Sequence, residues 1–596
     1  MKSITLKIDA ETYRKAMKKI TLKPDADRVV KPIRQVPVPP PASPPSQTPV
    51  FAGHIAAIRA EFFSRDPVRW PVFADPSLAR IIASRAHHAA PAHRLDVYPN
   101  GHAEQQRLIH DDAVPERGRP LDEVNDRLVF AAALSKAWED PASVENVVTA
   151  PCDAAIHGAV IGLLANPNLI YGEYCGMAEE LERTVVRQIA NLVGYDAQLA
   201  TGIFTQGGTF CNLYGYLFGI RKSLPESLHL GLEYGQDYRM ISSQGGHYSN
   251  TTNLSLLGAN ISKKTIRIKI TSANDIDLED LECQLTACFR LGCLVPTIML
   301  TMGTTDTFGV DRVKPVHDLC RRLGEQFGLK VLPHIHVDAA VGWPLIFFLD
   351  YDFAGNPLGI LAPTLEGLRH NAEKFRELRY ADSFTVDFHK WGYVPYTSSL
   401  VMVKDRASMK ALEHDPENFS YFEKDVQGKT HLQSTIECSR GAAGLFGAYA
   451  AMQCLGKQGY QILIAHGLQN ADYFRQRMSE APGAAVMAPG NCGPSVGFRL
   501  YDPSLVADPL AEYARDVAFA DTAEYYERLA RNQEYHRRVF LARGKVGLYT
   551  NWIQFATHTA YDEHGKWLAL PGEKAVFFNA STEQRHIDHF FARLHG

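Results

Sequence analysis

The sequence contains no run of about 18 consecutive apolar residues, the length that a membrane-spanning helix requires. Residues Met1 to Lys7 lack the apolar stretch of a secretory signal, so we expect none. Long basic runs are absent too, and the formal net charge of the 596-residue chain is −4. We therefore expect a protein that neither enters a membrane nor binds nucleic acid.

Paired cysteine motifs are also missing. The ten cysteines form no C-x-x-C pair, and no histidine or second cysteine group accompanies the evenly spaced Cys283, Cys288 and Cys293. This pattern predicts reduced thiols in a cytoplasmic protein, with neither a disulfide framework nor a metal site. Hydrophobic residues at 45% and charged residues at 21% are typical of a globular protein, and the length predicts more than one domain.

Composition divides the chain into four parts. Residues 1–50 are a polar tail with a proline-rich linker, which cannot form a helix or a sheet ladder. Residues 51–150 have a mostly helical pattern interrupted by prolines. From 151 to 405 short apolar runs alternate with helical patterns, and residues 406–596 mix both patterns in what we predict to be a smaller C-terminal domain.

The region 151–405 has the pattern of crossover units around a mostly parallel sheet. Strands are predicted at Cys293 to Thr301, Lys330 to Val337, Ser383 to Val386 and Ser399 to Val403. Helices are predicted at Met177 to Val193, ending at Gly194, and at Gly441 to Gly456. In such a sheet, ligands bind at the carboxyl ends of the strands.

A glycine pair precedes a further predicted helix, whose inner face includes Leu213, Leu217 and Ile220. Gly207 and Gly208 allow close backbone approach, Thr209 can cap the helix, and the helix N-terminus presents N–H groups to an anion. A glycine turn before a helix is often purely structural, so this motif alone is weak evidence for phosphate binding.

Three further residues follow strands or glycine turns. His247 comes after Gly245-Gly246, Asp338 ends an apolar run, and Lys390 follows the run Ser383 to Val386. Taken singly, each is more often a core histidine, a salt bridge or a surface lysine. A buried carboxylate needs a cation or strong donors, however, and a desolvated lysine can serve as a Schiff-base amine. Together with the anion-binding turn, the set matches the requirements of pyridoxal phosphate.

These motifs make the chain resemble the group II pyridoxal-phosphate-dependent amino-acid decarboxylases, which include aromatic amino-acid, glutamate and bacterial tyrosine decarboxylases. The resemblance covers roughly residues 150–470. It implies an α/β fold of type I, aspartate-aminotransferase-like, with a large domain around a mostly parallel sheet and a smaller C-terminal α/β domain. It also implies pyridoxal 5'-phosphate as cofactor, an amino-acid substrate, and a homodimer with active sites at the interface.

The resemblance assigns four residues to catalysis. Lys390 resembles the Schiff-base lysine, Asp338 the acid paired with the pyridine nitrogen, and His247 the histidine stacked on the ring. Tyr421 is the candidate for the family's mobile-loop tyrosine, which protonates the substrate carbon after carbon dioxide leaves, and His247 or a water molecule is the alternative donor.

The resemblance assigns five more residues to cofactor binding. Gly208 and Thr209 match the phosphate loop, Thr305 the threonine near the ring oxygen, Ala340 the small residue under the ring, and His389 the histidine that contacts the phosphate.

The chain also departs from the family pattern. Asp387-Phe388 precedes His389-Lys390 where many relatives have Asn-Pro, and the stretch between Trp343 and Tyr380 is a long insertion. The run from Lys390 to Tyr396 is nearest to bacterial tyrosine decarboxylases.

Tyr171, Tyr174 and Tyr393 are candidates to frame an aromatic or aliphatic side chain. Three alternatives stay open: a carbon–carbon lyase of the sphingosine-phosphate lyase type, although Tyr396 replaces the lysine expected there, another cofactor enzyme of the same fold such as an aminotransferase, and a non-catalytic scaffold.

Overall fold

The computed structural model describes residues 48–62, 113–133, 135–170, 172–233, 235–413, 434–544, 547–553 and 570–595. Tyr171 and Tyr421 lie outside these ranges, as does most of the predicted tail and linker. None of the helices within these ranges has the length and apolar composition needed to cross a bilayer. The same ranges contain no group of three His, Cys, Asp or Glu side chains arranged to hold a metal ion.

A seven-stranded sheet organises residues 201–403. Its strands are β1 Thr201–Thr205, β2 Met240–Ser243, β3 Thr265–Ile268, β4 Thr297–Thr301, β5 His334–Asp338, β6 Ser383–Asp387 and β7 Ser399–Val403. Their order in the sheet is β1-β7-β6-β5-β4-β2-β3. Strand β7 runs antiparallel to both neighbours, and all other adjacent pairs are parallel.

The predicted mostly parallel α/β sheet is confirmed. Strands β4 to β7 are buried at every position, as expected where helices cover both faces of a parallel sheet. Two strands begin later than predicted. Strand β4 starts at Thr297, after Pro296, and β5 starts at His334, after Pro333, because proline has no N–H for the ladder.

Helices surround the sheets and connect their strands. The α-helices of the described ranges are α1 Pro49–Phe62, α2 Leu121–Ala133, α3 Asp153–Ala165, α4 Gly172–Cys175, α5 Ala178–Val193, α6 Gly208–Ser223, α7 Ser227–Leu230, α8 Ser249–Leu256, α9 Ile261–Lys264, α10 Leu278–Arg290, α11 Val313–Phe327, α12 Ala362–Phe375, α13 Ala443–Glu480, α14 Pro509–Val517, α15 Ala523–Arg543 and α16 Gln584–Phe591. Three 3-10 helices are η1 Trp343–Phe348, η2 Arg376–Tyr380 and η3 Arg406–Leu412.

Helix α5 confirms the predicted helix before the sheet and ends at Gly194. Its buried face includes Val185 and Ile189, together with the carboxylate of Glu182. Arg440 donates to that carboxylate at 2.6 Å, and both side chains are at most 3% exposed. The ion pair therefore ties α5 to the segment that precedes α13.

The long helix α13 links the two sheets. It starts near the predicted Gly441 but continues past Gly456, whose non-helical backbone (φ +59°, ψ −177°) divides it into two helical parts. The second part contributes Phe474 to an aromatic core with Phe498 and Phe590.

The second sheet is antiparallel throughout. It contains β8 Ala484–Val486, β9 Ser495–Leu500, β10 Asn551–Ile553 and β11 Gly572–Val576 in the order β10-β11-β9-β8. The smaller C-terminal α/β unit of the predicted fold class is thus present, while its boundary at 405 stays a prediction.

Candidate active site

Two of the predicted site residues, Asp338 and Lys390, lie at the carboxyl edge of the large sheet. In the parallel register, Thr301 at the end of β4 lies opposite Asp338 at the end of β5, and Asp338 lies opposite Thr385 of β6. Strand β6 continues to Asp387 and turns into the segment that carries Lys390. The sheet therefore brings the predicted acid and the predicted lysine to one edge.

Lys390 forms an ion pair with Asp387, at 2.9 Å between Nζ and Oδ2. The two side chains are 16% and 2% exposed. Burial favours the neutral amine, but the carboxylates of Asp387 and Asp338 outweigh it and raise the pKa of Lys390 above its ordinary value. Burial likewise opposes the charge of Asp387, yet Lys390 holds the pKa of that carboxyl below its usual range. Ser399 also donates a hydrogen bond to Asp387 Oδ1 at 2.6 Å.

Two donors contact the carboxylate of Asp338. Asn212, on α6, donates from Nδ2 to Asp338 Oδ2 at 2.8 Å, and the backbone N–H of Ala340 donates to Oδ1 at 3.2 Å. The same Asn212 nitrogen lies 3.1 Å from Ser249 Oγ, while its Oδ1 accepts from the Thr385 hydroxyl at 2.8 Å. These contacts determine the orientation of the amide, which presents a donor to the carboxylate.

A chain of buried polar side chains extends from Asn212 along β5 and β6. His336 Nε2 lies 3.0 Å from the Thr385 hydroxyl, and its Nδ1 lies 2.7 Å from the Ser383 hydroxyl, which also meets His334 Nε2 at 2.7 Å. Burial lowers the pKa of His334 to about 4 and that of His336 well below its ordinary value. Both rings are therefore neutral near pH 7, and they support the site without adding charge.

Helix α6 begins beside Asp387. Its N-cap residue is Gly207 rather than the predicted Thr209, and no side chain caps it. A Cβ atom placed on Gly208 would lie 2.6 Å from Asp387 Oδ2, so only glycine allows this approach of helix and strand. The first turn, with Gly208 and half-buried Thr209, thus presents its backbone to the site edge.

Two histidines flank the lysine. His247 is half-buried and accepts from the Ser249 N–H through Nδ1 at 3.2 Å, and burial lowers its pKa although Asp338 opposes this. His389 is buried, its Nε2 lies 3.7 Å from Asp387 Oδ2, and burial lowers its pKa too. Each ring contacts an exposed tyrosine: Tyr248 at 4.1 Å from His247, and Tyr396 at 3.9 Å from His389, between ring centroids.

The remaining predicted residues are placed as follows. Ala340 is buried directly after β5, and Thr305 is half-buried in the loop after β4. Tyr174 is exposed on α4. Tyr393 is a core residue instead of a lining residue, because it is 1% exposed and its hydroxyl donates to the Phe578 carbonyl at 2.9 Å. Tyr421 lies outside the described residues.

These side chains fit pyridoxal phosphate. The amine of Lys390 can react with the aldehyde of that cofactor, and the carboxylate of Asp338 can pair with its ring nitrogen. The flat ring of His247 can lie against the face of the cofactor ring, and the uncapped N-terminus of α6 can bind the phosphate. The buried hydroxyl of Thr301 has no hydrogen-bond partner within the described ranges. It lies 3.6 Å from the Cβ position of Gly246, in the turn before His247, so a polar group of a ligand can satisfy it.

Comparison with known proteins identifies a family for this chain. The model of the family described as the pyridoxal-dependent decarboxylase conserved domain matches residues 104–501, about two thirds of the chain. L-2,4-diaminobutyrate decarboxylase of Acinetobacter baumannii is 23% identical over 50% of this chain and 55% of its own length. Aromatic-L-amino-acid decarboxylase of Bacillus atrophaeus is 25% identical over 55% of this chain and 61% of its own length. The chain thus spans less than two thirds of these curated relatives.

The chain belongs to the pyridoxal-dependent decarboxylase family. The resemblance and the cofactor class inferred from the sequence are thereby confirmed. Among solved structures, mouse CSAD superposes with a TM-score of 0.68 at 18% identity, over 88% of this chain and 98% of that one. At this identity the match shows a shared fold, and it confirms the predicted fold class.

Sequence reasoning missed several residues of the site, among them Asn212, His336 and Tyr396. Asn212 lies 126 residues from Asp338 in sequence, and only the crossing of α6 over β5 joins them. His336 was detectable, since it precedes Asp338 by two and alternation puts both on one face of the strand. Tyr396 stands where a lyase of the sphingosine-phosphate lyase type would have a lysine, but nothing in the sequence shows that its ring contacts His389.

Proposed function

We propose that the chain is a pyridoxal-phosphate-dependent L-amino-acid decarboxylase that releases carbon dioxide and an amine. One observation carries the proposal: the amine of Lys390 and the donor-held carboxylate of Asp338 share one sheet edge, beside the uncapped start of α6. When bound, pyridoxal phosphate supplies an aldehyde that condenses with amines and a ring that withdraws electrons from the substrate carbon.

The residues of the chain then have separate tasks. Lys390 would hold the cofactor through its amine, which can condense with the aldehyde. Asp338, which accepts a hydrogen bond from Asn212, would hold a proton at the ring nitrogen. The flat ring of His247 orients the cofactor plane, and the backbone at Gly208 and Thr209 binds the phosphate through the α6 N-terminus. His389, Thr305 and Ala340 complete the cofactor pocket.

A proton must be delivered to the substrate carbon after carbon dioxide leaves. Tyr421 is the residue that the family resemblance assigns to this step. Within the described ranges Tyr396 is a second candidate, because its ring contacts His389 and its hydroxyl interacts electrostatically with Lys390 and Asp387. Phenylalanine variants at 421 and 396 distinguish them: the donor's variant loses amine formation while it still binds cofactor.

For the substrate we propose an aromatic amino acid such as tyrosine. Tyr248 and Tyr396 are 74% and 60% exposed and lie beside the two histidines of the site, where aromatic faces can pack against an aromatic side chain. The names of the two relatives above indicate different substrates. The proposal of an aromatic substrate therefore rests on Tyr248 and Tyr396 and not on the relatives.

We propose that the enzyme is a homodimer with its active sites at the interface. Helix α3 packs one face on α13 and exposes Leu163 and Leu164 at 67% and 82%. It begins beside the lysine segment, since Cys152 N–H donates to the Tyr393 carbonyl at 2.9 Å. A second copy on α3 therefore lies close to the site. Light scattering should show a dimer, and Leu163→Glu should yield monomers while the exposed control Leu541→Glu should not.

The test of the function is a panel of amino acids incubated with the purified, cofactor-loaded protein. We expect carbon dioxide and the matching amine, with the highest kcat/KM for an aromatic substrate, and no turnover by Lys390→Ala. Carbon–carbon cleavage of an amino alcohol phosphate without carbon dioxide would indicate the lyase alternative. A protein that binds cofactor but turns over no substrate would indicate a scaffold.

A further inference from the structure

Asp387 lies between Lys390 and the beginning of α6, and the proposed function leaves it without a task. Its Oδ2 is 2.9 Å from Lys390 Nζ, its Oδ1 accepts from Ser399, and its side chain is 2% exposed. The Cβ position of Gly208 is 2.6 Å from Oδ2. The carboxylate therefore faces the helix start that receives the phosphate.

This position creates two difficulties for cofactor loading. A buried carboxylate and a phosphate at one helix N-terminus repel each other. The lysine, in turn, must be a neutral amine to attack an aldehyde, whereas its contact with Asp387 favours the ammonium form. A single proton transfer removes both difficulties.

We propose that Asp387 accepts the proton of Lys390 when the cofactor binds. An N–H bond at Nζ breaks and an O–H bond at Asp387 Oδ2 forms, so that a neutral amine and a neutral carboxylic acid replace the ion pair. No net charge is created, and the acid can then donate a hydrogen bond where the phosphate lies. The proposal rests on Lys390 being the cofactor lysine.

Other polar and titratable groups surround the pair on every side. They are Ser399 on β7, Cys211 on α6, Asp338 at the end of β5, His247 in the turn after β2, and His389 and Tyr396 in the lysine segment.

None of these groups competes for the proton. Burial lowers the pKa of His247 and His389 and raises the pKa of Cys211 and Tyr396, so all four are neutral near pH 7. Asp338 is already engaged by Asn212 and by the Ala340 N–H. Asp387 is the carboxylate that contacts Nζ, and this makes it the acceptor.

The first measurement uses the cofactor-free full-length protein. Acetylation of Lys390 by acetic anhydride is followed by peptide mass spectrometry at about pH 6 to 12, a range that includes midpoints above the ordinary lysine value. Asp387→Asn removes the counter-ion, so the midpoint of the reaction should move to lower pH by about one unit or more, and the rate near neutral pH should rise roughly tenfold. Asp318→Asn, which breaks the exposed pair with Lys314, is the matched control and should leave the Lys390 profile unchanged.

The second measurement counts protons. Cofactor-free protein is titrated with pyridoxal phosphate in a calorimeter, in buffers of different ionisation heat. The pH is set below the acetylation midpoints of Lys390 in wild type and in Asp387→Asn. The Asn variant should release more protons than wild type, by about one per bound cofactor, because its lysine proton has no internal acceptor.

Identical acetylation profiles and identical proton counts would overturn the proposal. If borohydride reduction of loaded wild type labels another lysine, the assignment of Lys390 fails instead. Should Asp387→Asn not fold, the wild-type profile decides: a midpoint below the ordinary lysine value of about 10.4 contradicts the ion pair, and a higher one supports it.

Discussion

Asn212 offers the sharpest test of how the site holds its carboxylate. Replacing Asn212 by alanine removes the donor that lies 2.8 Å from Asp338 Oδ2 and leaves the Ala340 N–H at 3.2 Å. A hydrogen bond to a charged group contributes about 1.5–3 kcal/mol, so the site's interaction with the cofactor through Asp338 should weaken by a similar amount. The Kd for pyridoxal phosphate should then rise roughly 10- to 150-fold.

The assay is quenching of tryptophan fluorescence on titration of cofactor-free protein with pyridoxal phosphate. The matched control is Asn532→Ala, because Asn532 is also buried and donates to a carboxylate, Glu512, at 2.8 Å, but in the C-terminal region. The control should lose stability without losing cofactor affinity. A folded Asn212→Ala protein whose Kd stays within about twofold of wild type would refute the reasoning.

Three stability predictions follow from buried or strained groups. His334 has a folded-state pKa of about 4, so the unfolded chain binds a proton at this histidine at a higher pH than the folded chain does. The free energy of unfolding is therefore unaffected by His334 above about pH 6.5 and falls by roughly 3 kcal/mol as the pH falls to about 4. Urea titrations should show a smaller pH dependence in His334→Gln, and an unchanged slope contradicts this. Glu182→Ala removes the carboxylate that pairs with buried Arg440, and the free energy of unfolding in urea should fall by about 3–5 kcal/mol. A decrease below about 1 kcal/mol would contradict a stabilising role of this ion pair. Gly456→Ala, at φ +59° and ψ −177°, should cost about 1–3 kcal/mol, and a higher Tm would show that the backbone relaxes freely.

Local sequence signals predicted the frame of this site well. Apolar runs predicted β4 to β7 because each is a fully buried strand, and Asp338 and Lys390 were recognised at or shortly after the ends of two of these runs. The order of these residues along the chain then indicated the cofactor. Such features are predictable because they depend on neighbours in sequence.

What the sequence did not predict depends on contacts between distant segments. The sequence offers Thr209 as a cap for α6, but the helix begins two residues earlier and Gly207 is the N-cap, since the backbone there must pass close to Asp387. The donor that holds Asp338 comes from another element, and no local pattern marks Asn212 for this task. The sequence shows that Asp387 departs from the family pattern, but it does not show that Asp387 forms an ion pair with Lys390.

The central claim is that Lys390 carries the cofactor. Reduction of the pyridoxal-phosphate-loaded protein with borohydride, followed by proteolysis and mass spectrometry, tests this claim directly. We predict one modified peptide that contains Lys390, and none in Lys390→Ala. Modification of a different lysine, or decarboxylation that persists in Lys390→Ala, would contradict the account.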